Sequence, residues 1–301
     1  MNDFVRRAVQ EAIKTARRDA LHDAAVKLRF AWAEGHSTLY KFMGLREERL
    51  GYVIDVLENS RIYLSSPDQL NDPADCRPIF KLAKPLSDQD FVRELEEDER
   101  RMIAEEKLTP EQVAEARIKH GVRPEDLARS ITEHTQLMLQ KATRIYCLSA
   151  DQYSAQMWGY YADAHTGVCL HFDCDSGSLM GMARRVVYSA ARQPILVPIH
   201  YNTEDDIADR MVFAKAQGWQ HEQEYRIVAH ENMVGDEFPV VEGAYVRFPA
   251  GLLTGITFGS QITEANRSKL LTIIARRRET PLSVFQANVG DGFAVEAHRF
   301  G

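Results

Sequence analysis

Eight short apolar runs separated by turn-forming gaps fill the second half of this chain, and they constrain its fold more than any other feature. They are Arg144–Ser149, Val168–Asp173, Arg184–Tyr188, Glu224–Ala229, Ala244–Phe248, Gly255–Phe258, Leu282–Gln286 and Phe293–Ala297. Runs of this length, rich in branched and aromatic residues, read as strands. Two earlier runs, Leu39–Phe42 and Arg61–Ser65, have the same character. Hairpin-length gaps, as between Phe248 and Gly255 and between Gln286 and Phe293, favour antiparallel pairing. The exception is a helix over Glu264–Arg278, with Leu270, Leu271 and Ile274 facing inward. That strand–helix–strand unit predicts one parallel crossover. The fold class expected is therefore α+β, with a mixed, mainly antiparallel sheet and flanking helices.

Two helical regions interrupt this pattern. Residues 3–33 carry Val5, Val9, Ala12, Ile13, Ala16, Ala20, Ala24 and Leu28 at helical spacing, and Gly35 stops them. This stripe is mostly alanine, so it packs closely without burying much area. We read residues 1–38 as an N-terminal helical arm, laid on the domain or pairing two copies into a homo-oligomer. Residues 39–301 then form one α+β domain, with a helical insertion at 86–141. Ser87-Asp-Gln-Asp90 opens one helix of the insertion. Thr109-Pro110-Glu111-Gln112 opens the next, with a proline at the first position and a capping-box glutamine. Gly121 closes that helix and Pro124 opens a third. The insertion holds 14 acidic and 9 basic residues, a net of −5 out of the chain's −7. Such a run reads first as a solvated face.

Composition excludes several classes of function. With 45% hydrophobic and 27% charged residues the chain is ordinary for a globular protein, and no run is long enough to span a bilayer. The N-terminus has neither a secretory core nor the acid-poor character of a transit peptide. Cys76, Cys147, Cys169 and Cys174 lack metal or redox spacing, which suits reduced, buried thiols in the cytoplasm. A negative net charge argues against a protein that coats nucleic acid. Scattered histidines and the lack of paired His or Cys motifs give no metal site. Phosphate loops, dinucleotide fingerprints and nucleophile elbows are missing too.

Three constellations carry the chemistry that remains. In Met157–Asp173, Trp158, Tyr160 and Tyr161 precede His165-Thr-Gly167 and a strand. The cluster is either a packed corner, with Gly167 supplying a positive φ, or an aromatic platform for a planar or cationic ring. In Trp219–Arg226, a strand over 222–228 would put Glu222, Glu224 and Arg226 on one face. Stacked carboxylates repel unless a cation pairs them or one pKa rises, and such pairs are where acid–base work is found. Lys215 is a further partner for them. In Ser66–Pro73, Asn71 reads as an Asx turn before an extended Asp72, and the two either clamp ligand hydroxyls or cap a helix.

These landmarks in this order resemble a bacterial family known as domain of unknown function 2971. The resemblance is carried by Leu39-Tyr-Lys41-Phe, Leu70-Asn-Asp-Pro73 with Asp75-Cys76, Cys147-Leu-Ser149, Met157-Trp-x-x-Tyr-Ala-x-x-His165-x-Gly167 and Trp219-x-x-Glu-x-Glu-x-Arg226. It spans roughly 39–260. Members commonly have Phe where this chain has Leu70 and Ala74. The order of landmarks is also similar to ADP-ribosyltransferase-like folds, which bind NAD in a cleft of a split sheet. That resemblance implies NAD as co-substrate, with Lys41 holding its phosphate or ribose and Ser65 or Ser149 in the serine position. Glu224 becomes the late glutamate and Glu222 orients the nucleophile. Asn71, Asp72, Trp158, Tyr160 and Tyr161 are cleft residues. His165 joins the catalytic group. The function implied is an NAD-consuming effector, a toxin or phage-defence protein, acting on an unidentified macromolecule. The rivals are a non-catalytic module binding a nucleotide-like small molecule, and a nuclease using Asp72, His165 and Glu224. The transferase reading requires Lys41, Tyr161, His165 and Glu224 to converge on one cleft.

Overall fold

The computed structural model describes residues 23–46 (apart from 25), 48–83, 108–120, 124–197, 201–203, 207–230, 244–278, 280–290 and 294–300, with scattered positions between 93 and 104. The proposed N-terminal helix before residue 23 and the Ser87–Asp90 helix start lie outside them, as does Gly121. Among the described residues the helix has ended by Leu28, short of the expected span of 3–33, and Arg29 turns the chain with φ 60°. The segment that follows lies on the domain: Phe30 bridges to Arg184, and Ala31 is fully buried, donating its N–H to Ala183.

In chain order the sheet-forming strands begin with β1 (Thr38–Met43), helix α1 (Glu48–Asn59), β2 (Arg61–Tyr63) and β3 (Phe80–Leu82). The insertion contributes α2 (Pro110–His120) and α3 (Pro124–Ala142). The expected capping box is present: Gln112 accepts from the Thr109 N–H, and the Thr109 hydroxyl accepts from Gln112. Then come β4 (Thr143–Ser149), α4 (Ala155–Tyr161), β5 (Val168–Asp173), β6 (Arg184–Arg185), β7 (Val187–Ser189), β8 (Ile195–Val197) and β9 (Ala214–Ala216). The chain closes with β10 (Glu224–His230), β11 (Tyr245–Arg247), β12 (Leu253–Phe258), α5 (Glu264–Ile274), β13 (Ser283–Val289) and β14 (Val295–Arg299).

Eight of these strands form one sheet in the order β14-β13-β12-β5-β1-β4-β10-β6, mostly antiparallel, with the expected parallel crossover joining β12 to β13 around α5. The α+β class and the mixed sheet are thus as the sequence indicates. The short strands β3, β8 and β9 were not legible there. β3 pairs with β8, and β9 with β7, in two-stranded ribbons of three positions each, too short for a periodicity to register.

Burial explains the central strand. β5 is covered on both faces, so Val168–Phe172 is continuously buried rather than alternating. Leu170 and Phe172 join the larger core with Leu39, Ile256 and Phe258, roofed by Val53, Val56 and Leu57 of α1 and by Leu270 and Ile273 of α5. Cys169 and Phe42 point the other way, into a smaller core with Met157 and Trp158. One seam is incomplete. β1 pairs with β5 along six residues but with β4 in register only at Tyr40↔Ser149. Beyond that point β1 and β4 part, and the wedge between them is the mouth of the site.

Candidate functional site

The wedge opens into a cavity of about 460 Å³ lined by β1, β4, α1, α4 and the turn after β2. Its charged end is assembled by a late segment of chain. Residues 217–222 form a 3₁₀ turn rather than the start of the strand, and Gln223 takes a left-handed φ of 43° before β10 begins. Glu222 is therefore not placed by strand alternation. It reaches the side of Glu224 and Arg226 because the turn folds back, and the three side chains meet all the same.

Arg226 is fully buried and forks between two acids. Its Nε donates to Glu224 Oε1 at 2.7 Å, and its Nη1 donates to Asp75 Oδ1 at 2.9 Å. Lys215, on β9, donates to Glu224 Oε2 at 3.0 Å and to Glu222 Oε2, and stands 3.6 Å from Asp75. On the other oxygen of Glu222 the Tyr161 hydroxyl donates at 2.5 Å, while itself accepting from the Asn71 amide at 2.6 Å. The result is one row of hydrogen bonds: Asn71, Tyr161, Glu222, Lys215, Glu224, Arg226, Asp75.

The charges in this row do not balance. Among the described residues Asp75, Glu222 and Glu224 have only Lys215 and Arg226 within ion-pair distance, so one carboxylate lacks a direct cation when all are ionised; the next positive charge, Lys41, acts on Glu224 and Glu222 from farther off. Burial alone would raise the pKa of Glu224, but Arg226 and Lys215 beside it hold its carboxyl well below the usual range. Burial also acts on Glu222, and with the Glu224 charge next to it the net shift is upward, against the pull of Lys215. Burial pulls Lys215 down, yet Glu224 and Glu222 more than reverse this and raise it. Burial and Glu222 push the Tyr161 phenol up, so it remains a proton donor. The two glutamates are thus unequal: Glu224 is a fixed anion, whereas Glu222 is where a proton is most readily held.

Lys41 stands apart from this row. Its ammonium donates to the Cys147 carbonyl at 2.9 Å and sits 4.7 Å from the Tyr146 ring centre. Burial lowers its pKa. Among the described residues no carboxylate lies within ion-pair distance of it, so its charge faces the cavity it lines. Burial pushes the Cys147 thiol up to about 12, which makes it a poor nucleophile.

Of the residues singled out from sequence, Lys41, Ser65, Asn71, Ser149, Tyr160, Tyr161, Glu222 and Glu224 line the cavity. Ser149 spends its hydroxyl on the Glu222 carbonyl at 2.7 Å, tying β4 to the 3₁₀ turn. The others are elsewhere. Trp158 is fully buried in the smaller core, edge-on to Phe42 at 5.2 Å, with its indole N–H on the Gln152 carbonyl. Phe42 and Lys41 are neighbours on a strand and point to opposite faces, which puts Trp158 behind the sheet from Lys41. His165 stacks on Trp158, its Nδ1 is buried without a partner, and burial lowers its pKa. It does not line the cavity, so the four-residue convergence that the transferase reading required fails at His165, and any such reading has to do without this histidine. Asp72 is nine-tenths buried and makes the Asx turn that was expected of Asn71, accepting from the Ala74 N–H at 2.8 Å. The trio Asp72, His165 and Glu224 is not assembled.

His165-x-Gly167 is a corner. Asp163, Ala164 and His165 all have positive φ, between 48° and 67°, whereas Gly167 does not. Gly167 is needed for close approach instead: a Cβ there would overlap the Met43 carbonyl oxygen and lie 2.9 Å from the Ala162 Cα. Asp163 ties the corner down by accepting from the N–H groups of Leu45 and Arg46 at 2.9 and 3.1 Å.

Two members of the charged row had no assigned role in the sequence reading. Asp75 stood in the Leu70–Cys76 landmark without a function, and Lys215 was only a further partner. A buried Arg226 demands two acids, which is the signal that points to Asp75. Among the described residues no group of three or more His, Cys, Asp and Glu is arranged to hold a metal, and no helix is long and apolar enough to cross a membrane.

A family model described as "Protein of unknown function (DUF2971)" matches residues 157–227. The match contains both the Met157–Gly167 block and Trp219–Arg226, bearing out the family resemblance read from them over that stretch. No curated protein and no solved structure matches the chain.

Proposed function

We propose that the cavity binds a nucleotide-like molecule and works on its glycosidic bond, as NAD-consuming ADP-ribosyl transfer requires. The observation that carries this is the excess carboxylate at Glu222, buried beside Glu224 in a cavity that also presents Lys41 and Tyr161. Cleaving the bond between nicotinamide and ribose develops positive charge on the ribose, and a buried site with surplus negative charge stabilises it. The two carboxylates have different work. Glu224, locked by Arg226, supplies a fixed field. Glu222 exchanges its Tyr161 bond for a ribose hydroxyl or for the incoming nucleophile, whose proton it takes. Lys41, which among the described residues has no carboxylate within ion-pair distance, faces a phosphate. Tyr160, 64% exposed at the rim, offers a ring face to cationic nicotinamide. His165 has no part in this scheme. Four free cysteines and a dependence on NAD favour a cytosolic setting, and a toxin or phage-defence role is the effector activity that fits NAD consumption.

The test is incubation of the purified chain with NAD and cell lysate, read by mass spectrometry for released nicotinamide and ribosylated product. Product that disappears in Glu222→Gln supports the reading. NAD that stays intact removes it. A second reading rests on a separate observation. Arg226, Lys215, Asp75 and Glu224 form a closed ionic network that needs no substrate to justify it. If a nucleotide binds and is never cleaved, the chain is a sensing module.

A further inference from the structure

The cavity has a second end that this chemistry does not use. On α1, Arg49, Tyr52 and Val56 recur at i, i+3 and i+7, so they share the face turned to the cavity, and all three line it. Tyr52 stacks on Tyr63 of β2 with ring centres 4.9 Å apart and planes at 26°. Tyr63 is fixed from two more sides. Its edge meets Tyr245 at 5.3 Å, and its hydroxyl donates to the Gln69 side chain at 2.9 Å. Gln69 in turn accepts from the Ser66 N–H, closing the 3₁₀ turn Pro67–Gln69. Two residues on, the same chain segment delivers Asn71 to Tyr161. One turn therefore braces both ends of the cavity, the tyrosine pair on one side and the acidic row on the other.

Resting on the function proposed above, we infer that Tyr52 and Tyr63 form a subsite for the second planar ring of a dinucleotide, with Arg49 and Lys41 facing the phosphates between the rings. A rigid tyrosine face suits a purine, because every base offers a π face and stacking needs no hydrogen-bond code. Arg49 is suited to the phosphates by its exposure: its side chain is 62% accessible and tethered by a single 3.3 Å contact to Asp163, so it can swing onto an anion. A cavity of about 460 Å³ falls in the range that takes ligands larger than one nucleoside. Specificity follows. A ligand with one ring engages one end and a dinucleotide engages both.

The test is calorimetric titration of the full chain carrying Glu222→Gln, which prevents turnover, with NAD, ADP-ribose and nicotinamide mononucleotide as probes. Tyr52→Leu keeps apolar bulk on the helix and removes the ring. It is expected to weaken NAD and ADP-ribose by about tenfold and to leave nicotinamide mononucleotide within about twofold. Tyr52→Phe, which keeps the ring, is expected to restore binding. If the pair only holds α1 onto β2, Tyr52→Leu lowers the melting temperature and affects all three probes alike, or none. That result overturns the subsite while leaving NAD binding in place. Failure of all three probes to bind to the native chain as well as to Glu222→Gln, before Tyr52 is altered, removes the parent function, and the subsite with it.

Discussion

The corner at Asp163–Gly167 and the charged row from Lys215 to Arg226 lie in one matched stretch of 71 residues and are built on opposite terms. At the corner the fold consumes every unusual feature but one, the unpartnered Nδ1 of His165, which does not line the cavity. Positive φ at three successive residues, the missing Cβ of Gly167 and the Asp163 carboxylate all serve to seat α4 against β1. In the charged row three acids, Asp75, Glu222 and Glu224, share the two cations Lys215 and Arg226, which leaves one negative charge without a direct partner among the described residues. Both regions look equally rich in special residues when written as a motif. What separates them is whether a polar group is left over facing a cavity.

The comparison breaks first if Arg226 is dispensable. Arg226→Met leaves Asp75 and Glu224 buried without their fork, and a loss of about 3–5 kcal/mol is expected in urea unfolding. Glu222→Gln separates the two regions from the other direction. Nicotinamide release should drop by about a hundredfold or more, the cost of removing a positioned acid–base group, while the fold is retained because Lys215 keeps Glu224 and Asp75. At the corner the balance reverses. Gly167→Ala should cost about 1–3 kcal/mol of stability, because the overlapped atoms are backbone and cannot step aside. Kinetics per folded molecule should change little.

The pH dependence of stability sharpens the contrast between the glutamates. Glu224 has a lowered native pKa, so its contribution is present above the ordinary carboxylate value of 4.5 and is lost as the pH falls below it. Glu222 has a raised one: the native state holds its proton more tightly, so its contribution fades as the pH rises from 4.5. Denaturation of the native chain and of Glu222→Gln across that window should therefore diverge, the native chain losing stability relative to the variant as pH increases. Parallel curves would mean that Glu222 feels no excess charge. The smallest effect belongs to His165→Asn. Asparagine tolerates the φ of 67°, so the corner stays closed and NAD turnover is unchanged within about twofold.

Much of the fold was legible because its signals are local. The runs that became β1, β4, β5, β10, β12 and β13 have strand length and composition, and Thr109–Gln112 carries its helix start in four residues. The site was legible by residue type more than by geometry. Glu222 and Glu224 were paired on the premise of a continuous strand, yet a left-handed Gln223 intervenes and the pair forms by a different route. Trp158 and His165 were grouped with Tyr161 by adjacency. Trp158 and Tyr161 share one helix face and one small core, and sequence spacing does not say which of the two reaches the cavity. Asp75 lies 151 positions from Arg226, Tyr63 reaches the cavity only through β2 and its neighbours, and nothing local links them to the site.

The most direct measurement is nicotinamide release from NAD by the native chain, Glu222→Gln and His165→Asn assayed side by side under one set of conditions. Release by the native chain and by His165→Asn, with loss in Glu222→Gln, is the predicted result. Release that survives Glu222→Gln, or that vanishes with His165→Asn while the fold is retained, would contradict it.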